Sequence, residues 1–119
     1  MNGSSLSIQR KRYEAMLTHD LDGLVQQLSA MPVVHKVILF GSVVAGRRDL
    51  FTDLDLLVVM DSSLDFVSRN ADLARRLRAE VALDLLAYTP QEMERMSDRP
   101  FMRHVLKTGK VVYERRPSL

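Results

Sequence analysis

Phe40-Gly41-Ser42, followed after ten residues by Asp53-Leu54-Asp55-Leu56-Leu57-Val58-Val59-Met60, is the stretch whose reading decides the fold. Val37-Ile38-Leu39-Phe40 is short, apolar and rich in β-formers, and it runs straight into a Gly-Ser break. Val43-Val44-Ala45-Gly46 after that break predicts a tight turn and a short helix. Leu54 to Met60 predicts a second buried strand, acidic where it starts and apolar further on. Two strands therefore flank a glycine bend, with the acids collected at one strand end.

Upstream, Tyr13, Leu17, Leu21, Leu24, Val25 and Leu28 recur at spacings of three and four, which predicts an amphipathic helix between Leu6 and Met31. Met31-Pro32 stops it, because proline lacks the donor that a continuing helix needs. Downstream, Asp61-Ser62-Ser63 offers capping side chains to a helix whose inner face is Phe66, Asn70, Leu73, Ala74 and Leu77, with Arg75, Arg76 and Arg78 outside. Val81 to Tyr88 predicts a third strand. Thr89-Pro90-Gln91-Glu92 then opens a short helix with a cap residue, a proline at the first position and a reciprocating Glu. Pro100 to Thr108 predicts another helix, ended by Gly109 in left-handed geometry, before a last strand, Val111 to Glu114. The expected architecture is α/β (α+β), a mixed sheet of about four strands flanked by helices. It divides into an N-terminal helix over 1–32, a domain over 33–115 and a frayed tail over 116–119.

The totals fit one soluble domain: 119 residues, 46% hydrophobic and 27% charged. Without an export signal or an apolar run of membrane-spanning length, the expected location is cytoplasmic. There is no cysteine, so thiolate-ligated metals are excluded and any metal must be held mainly by oxygen. A net charge of +2 provides no global field for nucleic acid, which is not indicated as a partner, while small basic patches stay open. An oligomer is compatible with all of this.

Asp53 and Asp55 are two residues apart at a strand mouth, so both carboxylates point to one face with Cα atoms about 6.5–7 Å apart. Such a pair repels unless a hard divalent cation joins it, and magnesium is the natural resolution. Asp84 sits between Leu83 and Leu85 in an apolar strand, where a buried carboxylate needs a partner. If that strand neighbours Asp53 and Asp55, three carboxylates can hold two magnesium ions, and Asp84 becomes the general base or a ligand of the second ion. Gly41 and Ser42 form a phosphate cradle, since glycine admits close approach and a helix start offers free N–H groups. Arg47 and Arg48 stand close behind it, placed to touch a triphosphate or an acceptor. His19, His35 and His104 lack ligand spacing, and Met93, Met96 and Met102 read as packing residues.

Gly41-Ser42, ten intervening residues and Asp53-Leu54-Asp55 resemble the signature of the DNA polymerase β-like nucleotidyltransferase superfamily. The small size, Phe40, Thr52, Leu56-Leu57-Val58 and Tyr113 resemble its minimal nucleotidyltransferase family, over about Val33 to Glu114. The resemblance implies a nucleotidyltransferase with two magnesium ions, replaceable by manganese, on Asp53, Asp55 and Asp84. It further implies a triphosphate held by Gly41 and Ser42, and transfer of a nucleoside monophosphate, AMP from ATP, to a hydroxyl acceptor. Members of that family pair with a small helical HEPN protein, which implies an antitoxin of a toxin–antitoxin pair. Val43-Val44-Ala45 stands where such proteins often carry a basic or aromatic residue, and Arg47 or Arg48 is the compensation in this reading. The alternative is a non-catalytic module that neutralises a helical partner by direct contact, independent of the acids.

Overall fold

The computed structural model describes residues 2–41, 43–44 and 54–116, with backbone alone for 2–6. In chain order the elements are α1 (Asn2–Ser29), β1 (Val34–Phe40), β2 (Leu54–Met60), α2 (Phe66–Arg76), β3 (Leu83–Tyr88), α3 (Pro90–Arg95), α4 (Pro100–Thr108) and β4 (Lys110–Glu114). The sheet order is β3-β2-β1-β4. β1 is antiparallel to both β2 and β4, whereas β2 and β3 run parallel. The expected mixed four-stranded sheet with flanking helices is the observed one. The parallel pair requires a crossover, which α2 supplies.

Strand alternation divides the sheet into two apolar faces. Leu54, Leu56, Val58 and Met60 of β2 pack with Leu17, Leu24 and Leu28 of α1 and Leu73 of α2. Leu57 and Val59 pack on the opposite face with Ile38, Met102 and Val105, joined by Met93 and Met96, so the methionines are packing residues as read. β2 is central and covered on both sides, which is why it reads as a continuous apolar run after its first acid. A register irregularity between Val34 and Lys36 shifts the alternation of β1, so that Val34, Val37 and Leu39 all reach the α1 side.

Several local expectations are corrected. The cap of α2 is Asp65, whose carboxylate accepts from Ser68 N at 2.8 Å, and not the Asp61-Ser62-Ser63 run. Hydrogen bonding from Ser68 holds the Asp65 carboxyl below its ordinary range. On α2 the buried residues are Arg69 and Leu73, while Ala74 is exposed. The capping box of α3 is present in full: Glu92 N donates to Thr89 Oγ1 and Thr89 N to Glu92 Oε1.

Gly109 ends α4 with φ −72° and ψ 160°, an extended geometry open to any residue, and not the left-handed one expected. Its glycine is required by space. A Cβ there would lie 2.5 Å from Val105 O and 2.6 Å from Ile38 Cγ2. The carbonyl is helix backbone and cannot swing away, so Gly109→Ala is expected to cost about 1–3 kcal/mol, as overpacking does. Equilibrium urea unfolding would check this, and an unchanged midpoint would count against it.

Candidate active site

The site is set by strand registry. Phe40 and Asp55 are opposite each other across β1 and β2, and Asp55 and Asp84 are paired across β2 and β3. In a parallel pair, residues in register project to the same face from strands about 4.8 Å apart. Asp55 and Asp84 are therefore brought together, on the face that carries Leu57, Val59 and Tyr88 further along. Asp55 is half-buried and Asp84 is exposed. The expectation of a buried Asp84 is thus corrected: β3 is an edge strand, and the helices over this face pack Leu57 and Val59 but leave Asp84 open to solvent.

Gly41 ends β1 with φ 81°, the left-handed conformation that disfavours a side chain. A Cβ there would lie 2.9 Å from Asp55 Cγ and 3.3 Å from Asp55 Cβ, with Oδ2 closer still. The glycine thus makes room for the Asp55 carboxylate as well as for the bend. Gly41→Ala is expected to cost about 1–3 kcal/mol from backbone strain and also to displace Asp55. Thermal unfolding together with a nucleotide-transfer assay would show both effects; a parent-like variant in both would refute the role.

Ser42, Arg47, Arg48 and Asp53 lie outside the described residues. Among the described residues no group of three or more His, Cys, Asp or Glu side chains gathers as a metal site. Two of the three proposed ligands, Asp55 and Asp84, are described and in register. Both offer hard carboxylate oxygens at one sheet end, the donor type that magnesium prefers.

The position of Asp84 is held by contacts that the sequence does not announce. Asp20 of α1, 6% exposed, accepts from Glu80 N and Val81 N at 2.6 Å each, pinning the entry to β3. Gln27 bonds reciprocally with Arg78, its Nε2 donating to Arg78 O and its Oε1 accepting from Arg78 N, both at 3.0 Å. At the other end of β3, Asn70 imitates a neighbouring strand, its Oδ1 accepting from Ala87 N and its Nδ2 donating to Ala87 O. Arg69, 3% exposed, donates to Ala87 O at 2.8 Å and Leu64 O at 3.0 Å, and forks onto Glu92 at 2.6 and 3.1 Å. Phe66, Arg69, Asn70 and Leu73 share one helical stripe by spacing, so periodicity does place Arg69 inward. Its charge argues against burial, and only Glu92, 23 residues on, resolves the conflict.

His35 Nε2 lies 2.9 Å from Asp61 Oδ2 at the far end of the sheet, away from Asp55. His19 and His104 are exposed, and none of the three enters the site. Among the described residues no helix is long and apolar enough to cross a membrane.

Comparison with known proteins bears on the family and the fold. The sequence model of the family described as Polymerase beta, Nucleotidyltransferase matches residues 23–118. A Methanocaldococcus jannaschii protein named a putative protein adenylyltransferase is 30% identical over 82 residues, 67% of this chain and 79% of the relative. The crystal structure of a putative nucleotidyltransferase from Sulfolobus solfataricus has the same fold, with a TM-score of 0.58 at 20% identity over 95% of this chain and 90% of that one. A toxin–antitoxin structure with AMP-PNP gives 0.51 at 20% identity, covering 80% and 73% of the two chains. The MntA–HpeT toxin–antitoxin structure gives 0.51 at 21%, covering 82% and 74%. With a family match spanning most of its length, an adenylyltransferase-named relative and a glycine bend set against paired acids, the chain belongs to the polymerase β nucleotidyltransferase family.

Proposed function

We propose that this protein transfers a nucleoside monophosphate, AMP from ATP, to a hydroxyl acceptor with the help of magnesium, and that it acts as the antitoxin of a small helical HEPN partner. The observation that carries the reading is the registry of Asp55 with Asp84 beside Gly41. In this reading Asp53, Asp55 and Asp84 would hold two magnesium ions, and Gly41 and Ser42 would cradle the triphosphate, with Arg47 or Arg48 contributing charge to it. Bound magnesium would neutralise the triphosphate and lower the charge that develops on the departing pyrophosphate.

The chain's own residues then do the positioning. The acceptor oxygen forms a bond to the α-phosphorus while the bond from that phosphorus to the pyrophosphate oxygen breaks, and the acceptor proton passes to the Asp84 carboxylate. Exposure of Asp84 at a sheet edge supports this assignment, because an outside acceptor can reach it. Catalysis of this kind rests on alignment and charge stabilisation, with no covalent intermediate on the protein. The adenylyltransferase name of the relative supports AMP as the transferred group, and the toxin–antitoxin assemblies among the structural neighbours support a protein partner.

The test is co-expression with the protein encoded beside it, followed by intact-mass measurement of that partner. A gain of one or more adenosine monophosphates that disappears in Asp53→Ala and Asp55→Ala supports the reading. Neutralisation of the partner with all three carboxylates removed and no mass change would replace it with the direct-contact module.

A further inference from the structure

One surface remains unaccounted for by this site. Arg95, Arg99, Arg103 and Lys107 recur at intervals of four residues along α3, its following turn and α4. All four are exposed, and none forms an ion pair among the described residues. The arginines of α2 differ, since Arg75 and Arg76 both reach Asp72. Met102 and Val105 are the face of α4 turned to the sheet, so Arg99, Arg103 and Lys107 lie on its solvent side. At 1.5 Å per residue, successive cations on that helix are about 6 Å apart, on the order of the step between phosphates in an extended single strand.

The cationic row begins at a cleft of about 450 Å³ lined by Phe66, Tyr88, Glu92, Arg95, Met96 and Arg99. Phe66 and Tyr88 lie against each other in it, ring centroids 5.2 Å apart and planes tilted by 31°. Glu92 is already bound by Arg69, so its charge does not neutralise Arg95 or Arg99. Glu94 and Asp98 are the other acids of the segment, and both are exposed. At the far end Arg103, His104 and Lys107 line a second depression with Ser97 and Leu106. Flat aromatic faces at the start of a track of unpaired cations are what single-stranded nucleic acid requires, bases stacking while phosphates follow the charges. An acidic protein surface would use the cations but has no need of the aromatic rings.

We propose that the α3–α4 surface binds single-stranded nucleic acid, with a base stacked in the Phe66–Tyr88 cleft and phosphates along Arg95, Arg99, Arg103 and Lys107. The small net charge does not oppose this, because the cations are local. Binding here is independent of the transfer chemistry proposed above, and the two stand or fall separately.

Fluorescence anisotropy of a labelled twelve-nucleotide single-stranded RNA against the full chain tests it. Saturable binding that weakens with added salt is expected, with a log–log slope near −0.7 for each phosphate neutralised. The pair Arg99→Glu and Arg103→Glu should weaken binding at least tenfold, and Phe66→Ala severalfold. Arg75→Glu with Arg76→Glu should leave it within about twofold. No binding at low salt, equal losses in both arginine pairs, or equally tight capture of a polyglutamate peptide would overturn the proposal. Thermal unfolding of each variant separates lost binding from lost fold.

Discussion

Asp55→Asn is expected to lower magnesium-dependent nucleotidyl transfer by about 10³-fold or more while the chain stays folded. Asp55 stands at the start of β2 against Phe40 on one side and Asp84 on the other, so its amide replacement keeps the shape of the site and removes the charge. A ligand needed by the metal serves both binding and turnover. The variant should therefore lose magnesium-dependent nucleotide affinity as well as rate. Asp84→Asn should differ in degree, because in this reading its carboxylate takes the acceptor proton besides sharing the second ion: turnover should fall by about 10²–10⁴-fold, with nucleotide affinity reduced less than in Asp55→Asn. Calorimetric titration with magnesium and a non-hydrolysable triphosphate, beside single-turnover transfer, separates the two. Full transfer in Asp55→Asn would end the metal assignment, and full transfer in Asp84→Asn would end the proton assignment.

The second large effect concerns stability. Glu92→Ala is expected to cost about 3–5 kcal/mol, because it strands the guanidinium of Arg69 in a site where that side chain is 3% exposed. The same substitution removes the acceptor for Thr89 N and so opens the capping box of α3. Replacing both partners with apolar residues, Arg69→Met with Glu92→Leu, should cost less than Glu92→Ala alone, since no charge is then left unpaired. Urea unfolding checks the order, and a double variant weaker than Glu92→Ala would contradict it.

Acid should reveal the same pair. Hydrogen bonding from Arg69 is the largest influence holding the Glu92 carboxyl below its ordinary value of 4.5, against the opposing effect of burial. A carboxyl depressed on folding contributes stability that is fully present above its unfolded value and disappears as pH falls through its folded value. The parent's unfolding midpoint should thus decline as pH is taken below about 4.5, and the decline should be shallower in Glu92→Gln. Parallel curves for the two would show that other carboxylates govern acid unfolding. Tyr88 shifts in the opposite sense, its phenol pushed up chiefly by burial and then by the charge of Glu92.

What could be read along the chain was whatever has a short period or a local partner. The α1 stripe, the covered strand β2, the capping box at Thr89 and Glu92 and the stop at Pro32 all follow from residues within a few positions of each other. Asp84 was legible as an anomaly, an acid in an apolar strand, but its exposure was not. Burial of a strand depends on whether it lies at the centre or the edge, and β3 is placed at the edge by its neighbours. Gly109 shows the same limit, since the glycine was visible but its reason, the closeness of Ile38 and the Val105 carbonyl, is a contact between elements.

By itself the sequence determined the order of the elements, the glycine bend after β1 and the acid Asp55 at the start of β2, because backbone propensity and side-chain alternation act over a few residues. Only the tertiary structure decided that Asp55 and Asp84 stand side by side, that Arg69 is buried on Glu92 and that Asp20 and Asn70 fix the two ends of β3. Those pairings join residues 17 to 61 positions apart in the hydrogen-bonded cases. Strand registry and the packing of helices on the sheet choose them, and neither leaves a mark within any short stretch of chain.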